Sequence, residues 1–111
     1  MAKAKEKIVF SSPWDSYEVD AIVVGHYSAD GSLCIDLDNY EEGPITRLTV
    51  CLSDKKLKEN QAYIDTNNNP MAVQFIYKYK LGTCNGNMKA SGYCIYPLCD
   101  FNMERLKELA N

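Results

Sequence analysis

Leu33, Ile35 and Leu37 fall on one side of an extended chain while Cys34, Asp36 and Asp38 fall on the other. This period of two marks a strand with one buried and one wet face. Before it, Lys7-Ile8-Val9-Phe10 reads as a short strand broken by Ser11-Ser12-Pro13-Trp14-Asp15, because proline and small polar residues punctuate extended runs. Tyr17 to Tyr27 is rich in β-branched residues and reads as one long strand. It ends at Ser28-Ala29-Asp30-Gly31, where Asp-Gly is a hairpin signal. After Asn39 to Pro44, Ile45 to Leu52 alternates again, with Leu48, Val50 and Leu52 inward against Thr49 and Cys51. The N-terminal half is therefore predicted as a meander of three longer strands.

The second half changes period. Ala62-Tyr63-Ile64 reads as a short strand, and Asp65 to Pro70 gathers turn formers. Asn69 is predicted as a helix N-cap with Pro70 in the first helical position, where a missing N–H costs nothing. Ala72, Phe75, Ile76 and Tyr79 then recur at helical spacing, although Val73, Phe75, Tyr77 and Tyr79 also alternate as a strand would; the matching end signals favour the helix. Gly82 is the expected helix stop. Thr83 to Gly92 reads as a loop, and Tyr93 to Tyr96 as a final strand closed by Pro97, since proline belongs at strand ends or edges. Asn102 can cap a last helix with Met103, Leu106, Leu109 and Ala110 on one side, and with Glu104 and Lys107 placed to suit the helix dipole. The expected fold is α+β: an antiparallel sheet of about five strands with an N-terminal meander, packed with two helices. The 111 residues fit a single domain, 1–111.

Charge alters this picture more than composition does. From Ile8 to Thr46 the acids are Asp15, Glu18, Asp20, Asp30, Asp36, Asp38, Glu41 and Glu42, with neither lysine nor arginine among them, although the whole chain carries a net charge of only −3. Such a stretch favours a protein partner with a basic surface and disfavours direct nucleic-acid binding. The expected protein-binding residues are Asp30, Asp36, Asp38, Glu41 and Glu42. A bland reading stands beside this one, in which the acids are the solvated side of an amphipathic sheet.

Candidate chemistry is sparse. His26, the single histidine, could serve as a general base beside a nucleophile such as Cys94. Cys34, Cys51, Cys84, Cys94 and Cys99 form an odd set without CxxC spacing, which reads as free thiols rather than a disulfide framework or a zinc site. Asp36 to Gly43 resembles an acidic calcium loop but lacks the glycine and glutamate spacing of an EF-hand. Gly82, Gly86 and Gly92 form no phosphate loop. No cofactor or metal is expected. The apolar runs are too short for an export signal or a membrane span, which leads to the expectation of a cytoplasmic protein. Eight tyrosines and Trp14 offer modest support for an interface.

Ala62 to Pro70, with its Asp65-Thr66-Asn67-Asn68-Asn69-Pro70 run, and Ser91-Gly92-Tyr93-Cys94-Ile95-Tyr96-Pro97-Leu98 resemble signatures of a small bacterial family of unknown function carried on conjugative elements and phages. With Leu48-Thr49-Val50 and Leu52, the resemblance extends over the C-terminal two-thirds. Family members often carry cysteine and tryptophan where this chain has Asn69 and Met71. The resemblance implies an accessory protein of a mobile element but supplies no activity and no functional residues to transfer. The leading expectation is a non-enzymatic protein-binding module, an anti-CRISPR-like inhibitor of a host defence or nucleic-acid-handling protein that acts through its acidic face. The alternatives are a small thiol-dependent enzyme or redox sensor using Cys94 near His26, and a structural, self-associating protein.

Overall fold

The computed structural model describes residues 7–109. Among these residues the chain forms nine strands and two helices. They are β1 (Ile8–Ser11), β2 (Ser16–Val19), β3 (Ala21–His26), β4 (Leu33–Asn39), β5 (Gly43–Arg47), β6 (Thr49–Val50), β7 (Gln61–Ile64), α1 (Ala72–Lys78), β8 (Gly82–Ser91), β9 (Cys94–Phe101) and α2 (Met103–Leu109). All pairings are antiparallel, in a β1-β2 hairpin, a β3-β4-β5 meander and a sheet of order β6-β7-β9-β8. The α+β class holds, with nine strands where about five were expected. The extra strands arise from two long segments that each divide and from one predicted loop that is extended.

Tyr17 to Tyr27 divides at Asp20. Ser16–Val19 pairs with β1, whereas Ala21–His26 pairs with β4, and Asp20 donates its backbone N–H to Asp38 O at 2.9 Å. Ile45 to Leu52 divides at Leu48, where the chain leaves one sheet for the other. Leu48 and Thr49 are both buried, so Thr49 faces inward against the predicted alternation, and Val50 and Leu52 are half-buried rather than enclosed. The reason is a hydrogen bond: Thr49 Oγ1 accepts the backbone N–H of Ile35 at 3.1 Å, and a buried amide needs such an acceptor.

The predicted loop Thr83 to Gly92 is the greater part of β8. Its register with β9 runs from Gly82↔Phe101 to Ser91↔Cys94, with an irregularity between Cys84 and Met88. That bulge absorbs the glycine and asparagines that suggested a loop. β9 runs through Pro97, which lies opposite Met88 just past this bulge.

Leu33, Ile35 and Leu37 are fully buried, as their alternation predicts, and each such side chain contributes about 1.5–3 kcal/mol. They share one core with Ile22, Leu48, Ala62, Ile64, Leu81, Phe101 and the predicted helix face of Ala72, Phe75, Ile76 and Tyr79. Phe10 meets Phe75 edge to face at 5.2 Å, and Val9 donates its N–H to Tyr79 Oη at 2.8 Å, so the first hairpin is fastened to α1.

Both ends of α1 differ from expectation. Met71 occupies the N-cap position without a side-chain cap, and Asn69 is buried in another task. It accepts from the Thr46 hydroxyl and donates to Arg47 O, both at 2.9 Å. The helix ends before Gly82: Lys80 takes φ +58°, Lys80 N–H bonds Tyr77 O, and Leu81 N–H bonds Ile76 O. This is a Schellman closure with lysine in the left-handed position. Gly82 has a separate constraint, since a Cβ there would run into the backbone oxygen of Asp100. Asn102 does cap α2, accepting Arg105 N–H at 3.1 Å, with Leu106 and Leu109 buried; Ala110 lies outside the described residues.

Lys80→Gly should stabilise the fold by roughly 0.5–1 kcal/mol, because glycine adopts the left-handed conformation without the side-chain cost. Gly82→Ala should destabilise it by about 1–3 kcal/mol or more through overpacking. Urea denaturation of the two variants checks both signs.

Candidate functional site

The outer face of the β3-β4-β5 meander is where the sequence placed its acids. Register puts Val23 beside Asp36 and Ala21 beside Asp38 on one flank, with Arg47 beside Asp36 and Pro44 beside Asp38 on the other. With Ile45 and Thr46, the outward groups line an open depression of about 520 Å³. Val23 is 47% exposed there.

The five predicted residues do not act alike. Asp36 is claimed by Arg47, whose Nε and Nη2 reach its two oxygens at 2.7 and 3.3 Å. The same guanidinium lies 5.7 Å from the centre of the Tyr27 ring. Hydrogen bonding to Asp36 raises the Arg47 pKa, so this arginine is a fixed cation on the face. Burial pushes the Tyr27 hydroxyl up, partly offset by its hydrogen bond to Thr49.

Asp30 is a structural clamp. Its Oδ1 accepts from Ser32 N at 2.9 Å and Ser32 Oγ at 2.6 Å, and its Oδ2 accepts from Asp54 N at 3.0 Å. Burial alone would push this carboxyl up, but the Ser32 side chain and the Ser32 and Asp54 backbone amides outweigh it and hold the pKa low. Asp30 therefore closes the β3-β4 turn, where Gly31 takes φ +77°, with both carboxylate oxygens already engaged.

Asp38, Glu41 and Glu42 remain. Asp38 borders the depression. In the turn after β4, Asn39 Oδ1 accepts the backbone N–H groups of both Glu41 and Glu42 at 2.9 Å, and Tyr40 N–H donates to Asp20 Oδ2 at 2.8 Å. These bonds fix the turn and leave both glutamates exposed, with the Tyr40 ring 69% exposed between acids. Asn39 is thus a turn clamp rather than a calcium ligand. Among the described residues, no group of three His, Cys, Asp or Glu side chains could hold a metal ion.

Sequence reasoning missed a second polar cluster. Tyr63 donates its hydroxyl to Asp54 Oδ2 at 2.7 Å, beside Lys55, Lys56, Lys89 and Met88, around an open depression of about 500 Å³. Burial, then the Asp54 carboxylate, pushes the Tyr63 pKa up to about 12. The Tyr63 hydroxyl and the Lys56 backbone N–H lower that of Asp54. The lysines of Lys55-Lys56 were visible in sequence, but their convergence with Lys89 depends on the β8-β9 pairing.

The proposed His26 and Cys94 pair is not assembled. His26 Nε2 lies 3.2 Å from Glu59 O, and Asn60 O accepts Phe101 N–H, which places His26 near the Phe101 end of β9. Cys94 begins that strand, on the order of 20 Å away at about 3.3 Å per residue. Cys84 and Cys99, expected as free thiols, stand opposite each other with Cα atoms 4.0 Å apart and form a disulfide, while Cys34, Cys51 and Cys94 are free. Hairpin pairing brings together two cysteines that CxxC spacing could not announce. No helix among the described residues is long and apolar enough to cross a membrane.

The chain belongs to the family described as Domain of unknown function (DUF4313), whose model matches residues 21–111. The match begins at the first residue of β3, so the β1-β2 hairpin falls outside it. No curated protein and no solved structure matches the chain.

Two measurements check this account. The melting temperature should fall on both sides of neutrality. Asp30 and Asp54 titrate below their usual values when folded, so their contribution holds above about pH 4 and is lost as pH falls through the folded values. Tyr63 titrates above its usual value, so stability declines from about pH 10 towards its folded pKa, and Tyr63→Phe should reduce the alkaline loss, to which the raised Tyr27 also contributes. Thiol titration of unreduced, unfolded protein should find Cys34, Cys51 and Cys94, with Cys84 and Cys99 added after reduction.

Proposed function

We propose that this protein is a non-enzymatic protein-binding module that engages a basic partner through the outer face of β3-β4-β5 and the turn after β4. The observation that carries the reading is the mixed character of this surface. Exposed Val23 and Tyr40 sit among Asp38, Glu41 and Glu42, and Arg47 is bound to Asp36. Apolar centres edged by charge suit a partner that buries the stems of its lysines and arginines while pairing their heads. In the mobile-element setting that the sequence resemblance implies, the partner would be a host defence or nucleic-acid-handling protein, with the acidic face occupying its basic groove in the manner of an anti-CRISPR-like inhibitor. A redox reading draws support from the cross-strand Cys84–Cys99 pair, and none from His26 with Cys94.

Affinity capture from lysate at low and high salt tests the proposal. Asp38→Lys/Glu41→Lys/Glu42→Lys should abolish capture of basic proteins with little change in melting temperature. Asp30→Ala should cost roughly 1–3 kcal/mol of stability, because it leaves polar groups unsatisfied, yet still capture partners when folded. Unchanged capture by the folded triple variant would refute the proposed face.

A further inference from the structure

Cys84 and Cys99 face each other from unlike surroundings. Cys99 lies in β9, between β7 and β8, with Ala62 opposite it on one flank and Cys84 on the other. It is fully buried in the core. Cys84 lies in β8, the last strand of that sheet, and is half-buried, packed against the core from its margin. One member of the pair is therefore partly open to solvent, and the other is closed to it.

The backbone, rather than the bond between the sulfurs, brings the two together. Cys84 donates its backbone N–H to Tyr77 Oη at 2.9 Å, away from β9. Cys84 and Cys99 are thus a non-hydrogen-bonded pair, the kind in which side chains on neighbouring strands stand closest, and their Cα atoms are 4.0 Å apart. Gly82↔Phe101 and Thr83↔Asp100 hold the register on one side, and Met88↔Pro97 resumes it beyond the bulge. Opening the disulfide leaves these pairings and the Tyr77 bond in place. The two thiols then stay opposite each other, prepositioned to rejoin.

Cysteine usage points the same way. A framework that serves only to staple a fold pairs its cysteines, whereas Cys34, Cys51 and Cys94 are free. A single disulfide among retained thiols fits the exchanging kind better than the stapling kind.

We propose that Cys84 and Cys99 form a reversible thiol–disulfide exchange site for a low-molecular-weight disulfide, with Cys84 as the entry thiol and Cys99 as the resolving thiol. In the oxidising direction the Cys84 thiolate attacks one sulfur of glutathione disulfide. A mixed disulfide forms on Cys84, and the first glutathione leaves as its thiolate. Cys99, its proton given to solvent, then attacks Cys84 Sγ and displaces the second. Two protein thiols are oxidised and one glutathione disulfide is reduced to two glutathiones, which take up the two protons the cysteines released. Reduction runs the same path backwards, with a glutathione thiolate attacking Cys84 Sγ and Cys99 leaving. The site lies in the second sheet and does not rest on the reading of the acidic face.

Reduced, desalted full-length protein treated with glutathione disulfide tests the proposal, with products assigned by peptide mass mapping. Wild type should end with Cys84 bonded to Cys99 and no glutathione retained on either, and excess reduced glutathione should open the bond in the folded protein. Cys99→Ala should accumulate one glutathione on Cys84. In Cys84→Ala, Cys99 should be modified at least ~tenfold more slowly, because a fully buried thiol reacts only through local opening. If either variant does not fold, wild type quenched with acid at early times should carry its glutathione on Cys84 and not on Cys99. A bond that reduced glutathione opens only in unfolded protein would overturn the proposal. Labelling of Cys99 as fast as Cys84, or glutathione retained on both cysteines of the wild type, would also overturn it.

Discussion

Two sheets meet where the chain passes from β5 to β6, and the contact is made of backbone hydrogen bonds rather than side-chain packing alone. Ile35 is fully buried in β4. Its carbonyl accepts Leu48 N–H at 2.9 Å and its N–H donates to Thr49 Oγ1 at 3.1 Å. The carbonyl of Leu48 then accepts Asp65 N–H at 2.8 Å at the end of β7. A residue committed to the meander is thus satisfied by the very segment that opens the second sheet. Each bond replaces a buried unsatisfied group worth about 1–3 kcal/mol, so the crossing is costly to open at any single point. Tyr27 and Asn69 reinforce it from either side, the first through the Thr49 carbonyl and hydroxyl, the second through Thr46 and Arg47.

This crossing explains which parts of the fold could be read from sequence. Leu33 to Asp38 was legible because one sheet and one core determine its alternation. The apolar face of α1 was legible for the same reason, as was the Asn102 cap, which is satisfied within its own turn. Thr49 was not, because its hydroxyl stands in as the acceptor for Ile35 N–H, 14 residues earlier, and alternation carries no record of that. Asn69 misled in the same way: a good capping residue in a cap-like position was recruited by a strand edge, and Lys80 took the left-handed site for which Gly82 had been expected. Gly82 answered to the closeness of Asp100 instead. The glycines and asparagines between Thr83 and Gly92 signalled a loop locally, but pairing with β9 overrode their propensity.

The candidate site shows the difference between charge in a sequence and charge on a surface. All five predicted acids lie on or beside the meander, yet Asp30 is consumed by the Ser32 and Asp54 amides and Asp36 by Arg47. The acidic stretch runs to Thr46 without a cation, but the next residue, Arg47, folds back onto its centre. Of those five predicted acids, Asp38, Glu41 and Glu42 are left to the face, beside a turn that Asn39 braces from within.

On the proposed reading, that narrowing would make the surface more selective than the sequence count suggests. Eight dispersed carboxylates would attract any basic polymer. On that reading, Asp38, Glu41 and Glu42 at the end of the meander, with the exposed Tyr40 ring in the same turn and Val23 exposed along the strand face, would favour a cation at a particular distance from an apolar contact. Preorganisation adds to this, because the backbone amides of Tyr40, Glu41 and Glu42 are already bound to Asp20 and Asn39, so binding need not order the turn. The acids lost to Asp30 and Asp36 are what hold the remaining ones in place, one by closing the β3-β4 turn and the other by fixing Arg47 to the sheet.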